Sequence, residues 1–532
     1  ESPELFEAAL SQLHSIFNQR SDTIKAMDGV QLLLNDEVPL FDTLSLLKSE
    51  VAFVRHRIES YETWGVCNEF SGIDQHVHDQ VLEGLSTLTD FCYCAPRKAA
   101  VPELAENVVE LAASSVDEWD DAEDLGRKPC GEWQDLLRNL QVHLILIRGV
   151  QIPYRTFKST GGVFASSEQE NRRASYETLQ RVVTQTWACI KAIVSGNKTN
   201  QDIFLKDAEF MDFMVTEMLE DPSLGIAFIF VELFRGNRDA IETCDAKIFE
   251  AFGSRLDQAF EPSNRGAAAV DPRRFLNFFE VMIEIPGFGI IASAQRKAIV
   301  TLTTARHPKV LQLDPPTSGD RTSFEYDYHV RVINVLQKCC ADGNTFATAA
   351  TQQCFQGGNG ADKLVEMIAA TPRSDMRRLA AYIRLLNTTF MDTMLMDKSL
   401  RHKAQLWDLL AKLVTEIRFS TSPSEEKTEG MPNDMAFALK VSAPLLDVFF
   451  AKHFEHDMPL TQENATAKNT IASTLEALAG DELADEALRG FAFETLQHVD
   501  NERYNVLATE AGGDRLQRMS EKRAARSKAS KR

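Results

Sequence analysis

The chain has 532 residues, 44% of them hydrophobic, and a net charge of −21. This composition is that of an ordinary soluble folded protein, and the negative charge excludes a nucleic-acid partner, whose phosphates it would repel. No apolar run approaches the roughly 20 residues that span a bilayer, so we expect no membrane span. The length predicts about three to four domains. A solenoid is the exception, because each of its repeats buries its apolar face only against neighbouring repeats.

Helical periodicity begins near the first residue. Glu1–Glu4 include neither an initiator methionine nor a signal peptide, and we interpret them as the cut end of a longer protein. An apolar stripe follows from Leu5 to Phe17 at helical spacing. Residues 1–64 are therefore predicted to be helical repeats.

Residues 65–130 differ in character. They contain one helical stretch, Val77–Phe91, and an acidic run, Asp117–Asp124, and they end near Pro129 and Cys130. Runs of like charge are typical of solvated loops, so this segment is predicted to be an insertion between two helical blocks.

The remaining chain is also predicted to be helical. Val142–Val150 is the best rival for a strand, but Leu136 upstream and Pro153 downstream favour a helix. No run of strict alternation predicts a sheet, and Gly287–Gly289 is predicted to be a helix-to-helix turn. The predicted domains are a helical domain at 131–310, further repeats at 311–420, more helices at 421–515, and a basic tail or linker at 516–532.

Short turns containing Gly-Asn recur along the chain. Glycine accepts the left-handed conformation that closes one helix, and asparagine then caps the next helix through its side-chain oxygen. Such short turns place consecutive helices antiparallel and side by side, so the predicted fold is an all-α, armadillo-like α-solenoid of stacked helical hairpins. The turns are Ser195–Asn197, Arg235–Asn237 and Asp342–Asn344, with a variant at Gly358–Gly360.

Several segments, in order and at similar spacing over residues 1–415, resemble the inositol-trisphosphate receptors and, more distantly, the ryanodine receptors. The match is to their central cytosolic helical region, including the RIH homology domain that the two groups share. The segments are Phe17–Arg20, Val30–Leu34, Glu59–Trp64, Leu136–Asn139, Gln151–Tyr154, Gly196–Gln201, Arg273–Leu276, Tyr328–Val330, Cys339–Asn344, and Leu386–Asn387 with Asp392.

The resemblance implies a segment of a large channel subunit at the cytosolic face of the endoplasmic reticulum membrane. The ligand-binding core would lie upstream and the pore downstream. The partners would be other domains and subunits of the same channel, a homotetramer held together by its membrane domain. Residues 131–310 would be the RIH-type domain, whereas residues 65–130 depart from the family pattern.

Glu59 and Glu62 form the most informative acidic pair. At spacing i, i+3 on a helix, two carboxylates point the same way. Calcium takes six to eight oxygens, so two carboxylates supply at most about half of a site. The resemblance implies that these residues contribute to a regulatory Ca²⁺ site between helical domains. A solvated helix face is the alternative, and no other cofactor is expected.

Ser175 follows Arg172 and Arg173 in a pattern that basophilic kinases recognise, at a predicted loop-to-helix junction. Phosphate there would lie near a helix N-terminus and beside two arginines, which favours added negative charge. A chance match is the alternative reading.

Other clusters of reactive residues indicate no chemistry. The pairs His76/His78 and His453/His456 lack further metal ligands at suitable spacing and are predicted to be surface histidines. The nine cysteines fit no zinc motif and are predicted to be buried, reduced thiols. No catalytic constellation is present, so the chain is not predicted to be an enzyme.

Two functions remain open from the sequence. One is a regulatory segment of an intracellular calcium-release channel, which relays ligand-driven motion toward the pore. The alternative is a free-standing armadillo-like scaffold that binds protein partners. A pore with several membrane helices downstream would identify the channel.

Overall fold

The computed structural model describes residues 5–13, 38–66, 71–93, 128–158, 166–261, 271–316, 323–355, 360–372, 374–393, 399–421, 437–481 and 484–509. The chain divides into two compact units, residues 1–189 (unit 1) and 190–532 (unit 2). This division falls inside one helix and coincides with none of the predicted domain boundaries. The acidic run, the turn variant at residues 358–359 and the basic tail lie outside the described residues.

In the described part of unit 1, a 3₁₀ turn at Tyr154–Phe157 precedes the last α-helix. That last helix continues into unit 2. The α-helices are α1 (residues 5–13), α2 (Val38–Glu59), α3 (Tyr61–Trp64), α4 (Ser71–Cys92), α5 (Gly131–Asn139), α6 (Val142–Val150) and α7 (Ser166–Val194).

Unit 1 packs around α4, which contacts α2, α3 and α5. Val77, Val81, Leu85, Leu88 and Phe91 form its buried face at helical spacing. The helical stretch predicted at Val77–Phe91 is found as part of α4. This helix packs against its neighbours in unit 1 and is not set apart from them, as the predicted insertion would be. The helix predicted at Val142–Val150 is confirmed as α6.

Unit 2 is also helical throughout its described residues. Its α-helices are α8 (Lys198–Lys206), α9 (Ala208–Glu220), α10 (Ile226–Phe234), α11 (Arg238–Thr243), α12 (Ala246–Phe260), α13 (Arg273–Ile283), α14 (Ala292–Thr303), α15 (Phe324–Cys340), α16 (Thr345–Cys354), α17 (Gly360–Ala370), α18 (Met376–Leu386), α19 (Ala404–Thr421), α20 (Ala443–Val448), α21 (Gln462–Gly480), α22 (Glu486–Val499) and α23 (Asn501–Thr509). Short 3₁₀ turns occupy Pro222–Leu224, Ala341–Gly343 and Leu400–His402, and π-helical turns occupy Asn387–Met391, Ala438–Ser442 and Phe449–His453.

The helices of unit 2 stack in two rows. In one row α10 packs against α13, α13 against α15, and α15 against α18. In the other row α12 packs against α14, and α14 against α16. Contacts between α12 and α13 and between α14 and α15 join the rows, as expected of stacked helical hairpins. The stack continues through α19, α21, α22 and α23. The predicted all-α, armadillo-like α-solenoid is confirmed.

Phenylalanines from α10, α12 and α13 form one apolar cluster in the core of unit 2. The rings of Phe252 and Phe278 stack with their centroids 3.9 Å apart. Phe230 meets Phe252 edge-on at 5.6 Å, and Phe249 meets Phe278 at 5.3 Å. All four side chains are buried. Replacing one such phenylalanine by alanine typically costs about 3–5 kcal/mol, so this cluster fixes α10, α12 and α13 to one another.

One small β-hairpin interrupts the helices. Glu284–Ile285 (β1) pairs antiparallel with Gly289–Ile290 (β2) between α13 and α14. Gly287 and Gly289 have φ of +83° and +89°, values that glycine adopts without strain. These two glycines let the backbone reverse over a few residues. The expected absence of any sheet is therefore corrected here, although the segment does connect two helices as predicted.

Candidate functional site

Glu59 and Glu62, the predicted calcium ligands, do not lie on one continuous helix. α2 ends at Glu59 and α3 begins at Tyr61, with Ser60 between them at φ −108° and ψ 27°. The Ser60 hydroxyl donates to the carbonyl of His56 at 2.7 Å. Side-chain bonds of this kind compete with regular helix geometry. The expected i, i+3 placement on one helix is therefore wrong.

Glu59 already has an ionic partner. Arg148 Nη1 donates to Glu59 Oε1 at 2.5 Å. The side chains of Arg148 and Glu59 are 63% and 44% exposed, so the pair contributes roughly 0.2–1 kcal/mol. Glu62 is also exposed. Within the described ranges, no three His, Cys, Asp or Glu residues lie together so as to hold a metal ion. A calcium ion at these carboxylates would therefore need further oxygens that the described residues do not bring together there.

Ser175 lies in the body of a helix. α7 begins at Ser166, and the Ser175 side chain is buried, with 1% of its surface exposed. Arg172 and Arg173 are exposed, and Arg173 pairs with Glu177 at 2.9 Å. The predicted loop-to-helix junction is wrong because the helix begins earlier than expected. A kinase must surround the hydroxyl that it modifies, so the folded chain does not present Ser175 as a phosphorylation site.

One histidine of each predicted surface pair is buried. His78 Nδ1 lies 3.2 Å from Asp79 Oδ1, and burial lowers the pKa of His78. His453 Nε2 lies 2.9 Å from the carbonyl of Met391, and burial lowers the pKa of His453. The surface assignment is therefore wrong for His78 and His453, which are structural residues with partners inside the protein.

The three described Gly-Asn turns have the predicted geometry. Their glycines are left-handed, with φ of +67° at Gly196 and +73° at both Gly236 and Gly343. Each following asparagine accepts a hydrogen bond from the backbone three residues on, as a helix N-cap does. These bonds join Asn197 Oδ1 to Asn200 N at 3.1 Å, Asn237 Oδ1 to Ala240 N at 3.3 Å, and Asn344 Oδ1 to Ala347 N at 3.1 Å.

A buried glutamine on α8 forms hydrogen bonds at the second Gly-Asn turn, Arg235–Asn237. Gln201 is the fourth residue of α8 and is 1% exposed. Its Nε2 donates to the carbonyls of Glu232 at 2.8 Å and Arg235 at 3.2 Å. The last carbonyls of a helix have no partner within it, so Gln201 caps the end of α10. Asn237 Nδ2 in turn donates to Asp202 Oδ1 at 2.8 Å.

The same arrangement recurs at the third turn. Gln295 is the fourth residue of α14 and is 1% exposed. Its Nε2 donates to the carbonyls of Lys338 at 2.9 Å and Ala341 at 3.0 Å. Its Oε1 accepts from Asn344 Nδ2 at 2.9 Å. We call these two glutamines, with the helix-terminal carbonyls that each engages, the turn clasps.

A buried carboxylate joins three helices at the other end of α15. Asp327 lies 3.3 Å from Arg273 on α13, 3.2 Å from Arg331 on α15, and 2.6 Å from Arg377 on α18. Burial alone would raise the pKa of Asp327, but Arg331, Arg377 and Arg273 together hold that pKa below its usual value. The carboxylate is therefore ionised, and it fixes α13, α15 and α18 together.

A groove of about 420 Å³ opens between α12 and α14. Its apolar lining includes Phe249 and Val300, and its cations are Arg296, Lys297 and Arg306. The lining also contains two acidic residues. Glu250 is exposed, whereas Asp257 accepts hydrogen bonds from the backbone N–H groups of Arg306 and His307 at 3.1 and 3.0 Å.

Exposed apolar side chains lie beside this groove. The Arg296 guanidinium lies over the ring of Phe346 on α16, 5.2 Å from its centroid. Phe346 is 46% exposed and Val300 is 42% exposed. An apolar strip with a basic edge therefore runs across α14 and α16 in a protein of net charge −21.

The sequence contained a partial signal for the turn clasps. Gln201 follows Asn197 by four residues, which places it one helical turn beyond a Gly-Asn turn and on the same face as the cap. Gln295 follows no such motif, because α14 begins after the β-hairpin. Only the tertiary structure reveals that both glutamines do the same thing.

No protein-family model matches the chain. Among solved structures, the crystal structure of Uso1-2 resembles it with a TM-score of 0.41 and 11% sequence identity, over 90% of this chain and 79% of the other. A likeness at this score carries no inference about function. No helix in the described part of the chain has both the length and the apolar character needed to cross a membrane.

Proposed function

We propose that this chain is a non-catalytic coupling segment of a tetrameric intracellular calcium-release channel. It would relay ligand-driven motion through its helical stack, at the cytosolic face of the endoplasmic reticulum membrane. The resemblance of its sequence segments to the inositol-trisphosphate and ryanodine receptors supports the channel assignment. The fold supports the mechanical part, because stacked repeats contact their neighbours continuously and can pass a displacement along.

The observation that carries the mechanical part is the pair of turn clasps. Gln201 connects α8 to the end of α10, and Gln295 connects α14 to the end of α15. A purely apolar contact can slide, whereas a hydrogen bond to a helix-terminal carbonyl holds one relative position. A shift of α14 would therefore displace α15 and the turn after it.

Isolation of the endogenous protein tests the channel assignment. An antibody raised against unit 2 should detect, in microsomal membranes, a polypeptide far larger than the 59.6 kDa of this chain. Native mass measurement in detergent should give four copies of it. A free polypeptide of about 60 kDa in the soluble fraction would refute the channel and favour a scaffold.

The groove between α12 and α14 supports the alternative, a free-standing scaffold. Arg296 and Arg306 make no contact with a carboxylate among the ion pairs of the described residues, and Val300 and Phe346 expose apolar surface beside them. This chemistry fits an acidic peptide that carries one or two apolar anchors. Electrostatic complementarity would give such a partner its selectivity.

Fluorescence anisotropy with labelled peptides tests the scaffold. A peptide of alternating Glu and Leu should bind the full chain, and its Lys–Leu counterpart should not. Replacing both Arg296 and Arg306 by Glu should weaken binding at least about tenfold, or roughly 1.4 kcal/mol. Lys412→Glu, at an exposed site on α19, is the matched control. Equal binding of both peptides, or equal effects of both variants, would exclude the groove as the peptide-binding site.

A further inference from the structure

Two cysteines lie close together at the end of α4 and the start of α5. Cys92 is the last residue of α4 and is buried, and Cys130 is the half-buried N-cap of α5. The backbone N–H of Cys130 donates to the carbonyl of Cys92 at 2.7 Å. Phe91 and Trp133, whose ring centroids are 5.3 Å apart, support the same junction. The seven cysteines within the described residues are all free thiols.

The backbone hydrogen bond brings the two residues close together. For comparison, hydrogen-bonded residue pairs in an antiparallel ladder have Cα atoms about 5.5 Å apart. Disulfides form at Cα separations of about 4.4–6.8 Å. The third nearby thiol, Cys189, belongs to α7 and is fully buried. Apart from burial, both Cys189 and Cys130 lie close enough to Cys92 to raise the pKa of its thiol, and of these two neighbours Cys130 is the one that is partly exposed.

We propose that Cys92 and Cys130 form a reversible disulfide when the protein meets a disulfide oxidant such as oxidised glutathione. Cys130 reacts first because it is partly exposed, whereas Cys92 is buried. Its thiolate attacks one glutathione sulfur, forms a mixed disulfide and releases one glutathione thiolate.

Cys92 completes the exchange. Its thiol now donates to the carbonyl of Leu88 at 3.4 Å, and burial raises its pKa well above the usual value. The resolving step is therefore the slow one. Cys92 loses its proton to solvent and attacks the sulfur of Cys130, which releases the second glutathione thiolate. Two cysteine thiols lose two electrons in total, and one oxidised glutathione becomes two reduced molecules.

The disulfide would covalently join the two ends of the segment that begins at Tyr93 and ends at Pro129. α4 and α5 already pack against each other there, so oxidation leaves the fold of unit 1 unchanged. Closing the chain at this point mainly restricts the unfolded state. The cysteine pair is thus a redox site that alters stability without rearranging the helices.

Peptide mapping under non-reducing conditions tests the proposal on the full chain. After incubation with oxidised glutathione and alkylation of the free thiols, the peptides that contain Cys92 and Cys130 should appear as one cross-linked species, two hydrogens lighter than their sum. Dithiothreitol should reverse the link. Alkylation of Cys130 by N-ethylmaleimide should be lost in the oxidised protein.

Serine variants distinguish this pair from its neighbours. Cys130→Ser should abolish the cross-link, whereas Cys189→Ser should leave it intact. Because Cys130 is partly exposed, its serine variant should fold, and circular dichroism checks this. Stable glutathione on Cys130 without a cross-link would overturn the proposal. A disulfide between Cys92 and Cys189 would also overturn it. A disulfide from either Cys92 or Cys130 to Cys94, which lies outside the described residues, would do the same.

Discussion

Replacing Gln295 by methionine measures what a turn clasp contributes. Methionine keeps a similar volume and helix propensity but removes the amide. The carbonyls of Lys338 and Ala341 then lose a donor, and Asn344 Nδ2 loses its acceptor. At a net value of about 1 kcal/mol for each hydrogen bond, the change should cost roughly 3 kcal/mol.

Gln201 supplies a matched comparison within the same unit. It donates two hydrogen bonds, but its buried Oε1 has no hydrogen-bond partner among the described residues. Methionine at this position loses the two bonds and also removes a buried polar atom whose desolvation costs about 1–3 kcal/mol. The expected net effect therefore lies between a loss and a gain of roughly 1 kcal/mol in stability. The two variants should differ by at least about 2 kcal/mol, which corresponds to roughly thirtyfold in an equilibrium constant.

Hydrogen-exchange mass spectrometry reports these local equilibria in a chain of this size. Peptides that cover the end of α15 should exchange roughly a hundredfold faster in Gln295→Met. Peptides at the end of α10 should change by less than about tenfold in Gln201→Met. Gln353→Met, at an exposed position on α16, should alter neither. Equal effects at the two clasps would show that apolar packing, not hydrogen bonding, holds the turns.

Three further changes probe other parts of the molecule. If Glu59 is a calcium ligand, Arg148→Gln should free its carboxylate and tighten calcium binding to the complete channel. Adding Glu59→Gln and Glu62→Gln should abolish that gain. Identical calcium titrations of all variants would show that both glutamates are only solvated surface residues. Asp327→Asn removes the shared carboxylate from partly exposed arginines, of which Arg273 keeps a pair with Asp271, and should lower the free energy of unfolding by roughly 1.5–3 kcal/mol, whereas the exposed Asp212→Asn should not. Burial lowers the pKa of His329 to about 4, below the unfolded value near 6.5, so the unfolded chain binds the extra proton. Protonation of His329 in the unfolded chain should therefore lower the free energy of unfolding by up to roughly 3 kcal/mol as the pH falls from 6.5 to 4. His329→Gln should flatten that part of the Tm–pH curve.

The sequence predicted those features that depend on local chemistry. Glycine at a positive φ and asparagine at an N-cap are set by neighbouring backbone atoms, so Gly196 and Asn197 could be assigned without tertiary information. The fold class followed, because such short turns leave consecutive helices few arrangements other than side-by-side packing. The apolar periodicity of Val142–Val150 likewise sufficed to identify a helix.

The sequence did not predict features that depend on distant partners. Glu59 and Arg148 are 89 positions apart, and Gln295 reaches carbonyls more than 40 positions away. No local pattern records such pairs. Ser175 was misplaced because its polar flanks resemble a loop, although the apolar core of unit 1 encloses it. His78 and His453 show the same error, since a histidine with a partner inside the protein cannot be distinguished locally from an exposed one.

Directional contacts hold α15 at both of its ends. Near its first turn, Asp327 is fixed to Arg273 of α13 and Arg377 of α18. At its other end, Gln295 of α14 holds the carbonyls of Lys338 and Ala341. A helix held by charged or hydrogen-bonded partners at both ends can move only if α13, α14 and α18 move with it. Apolar contacts such as the phenylalanine cluster also resist separation of the helices, but they are not directional. A displacement that enters the stack at α13 would therefore pass through α15 as a rigid element and reach the third Gly-Asn turn, which makes α15 the helix on which the proposed coupling depends.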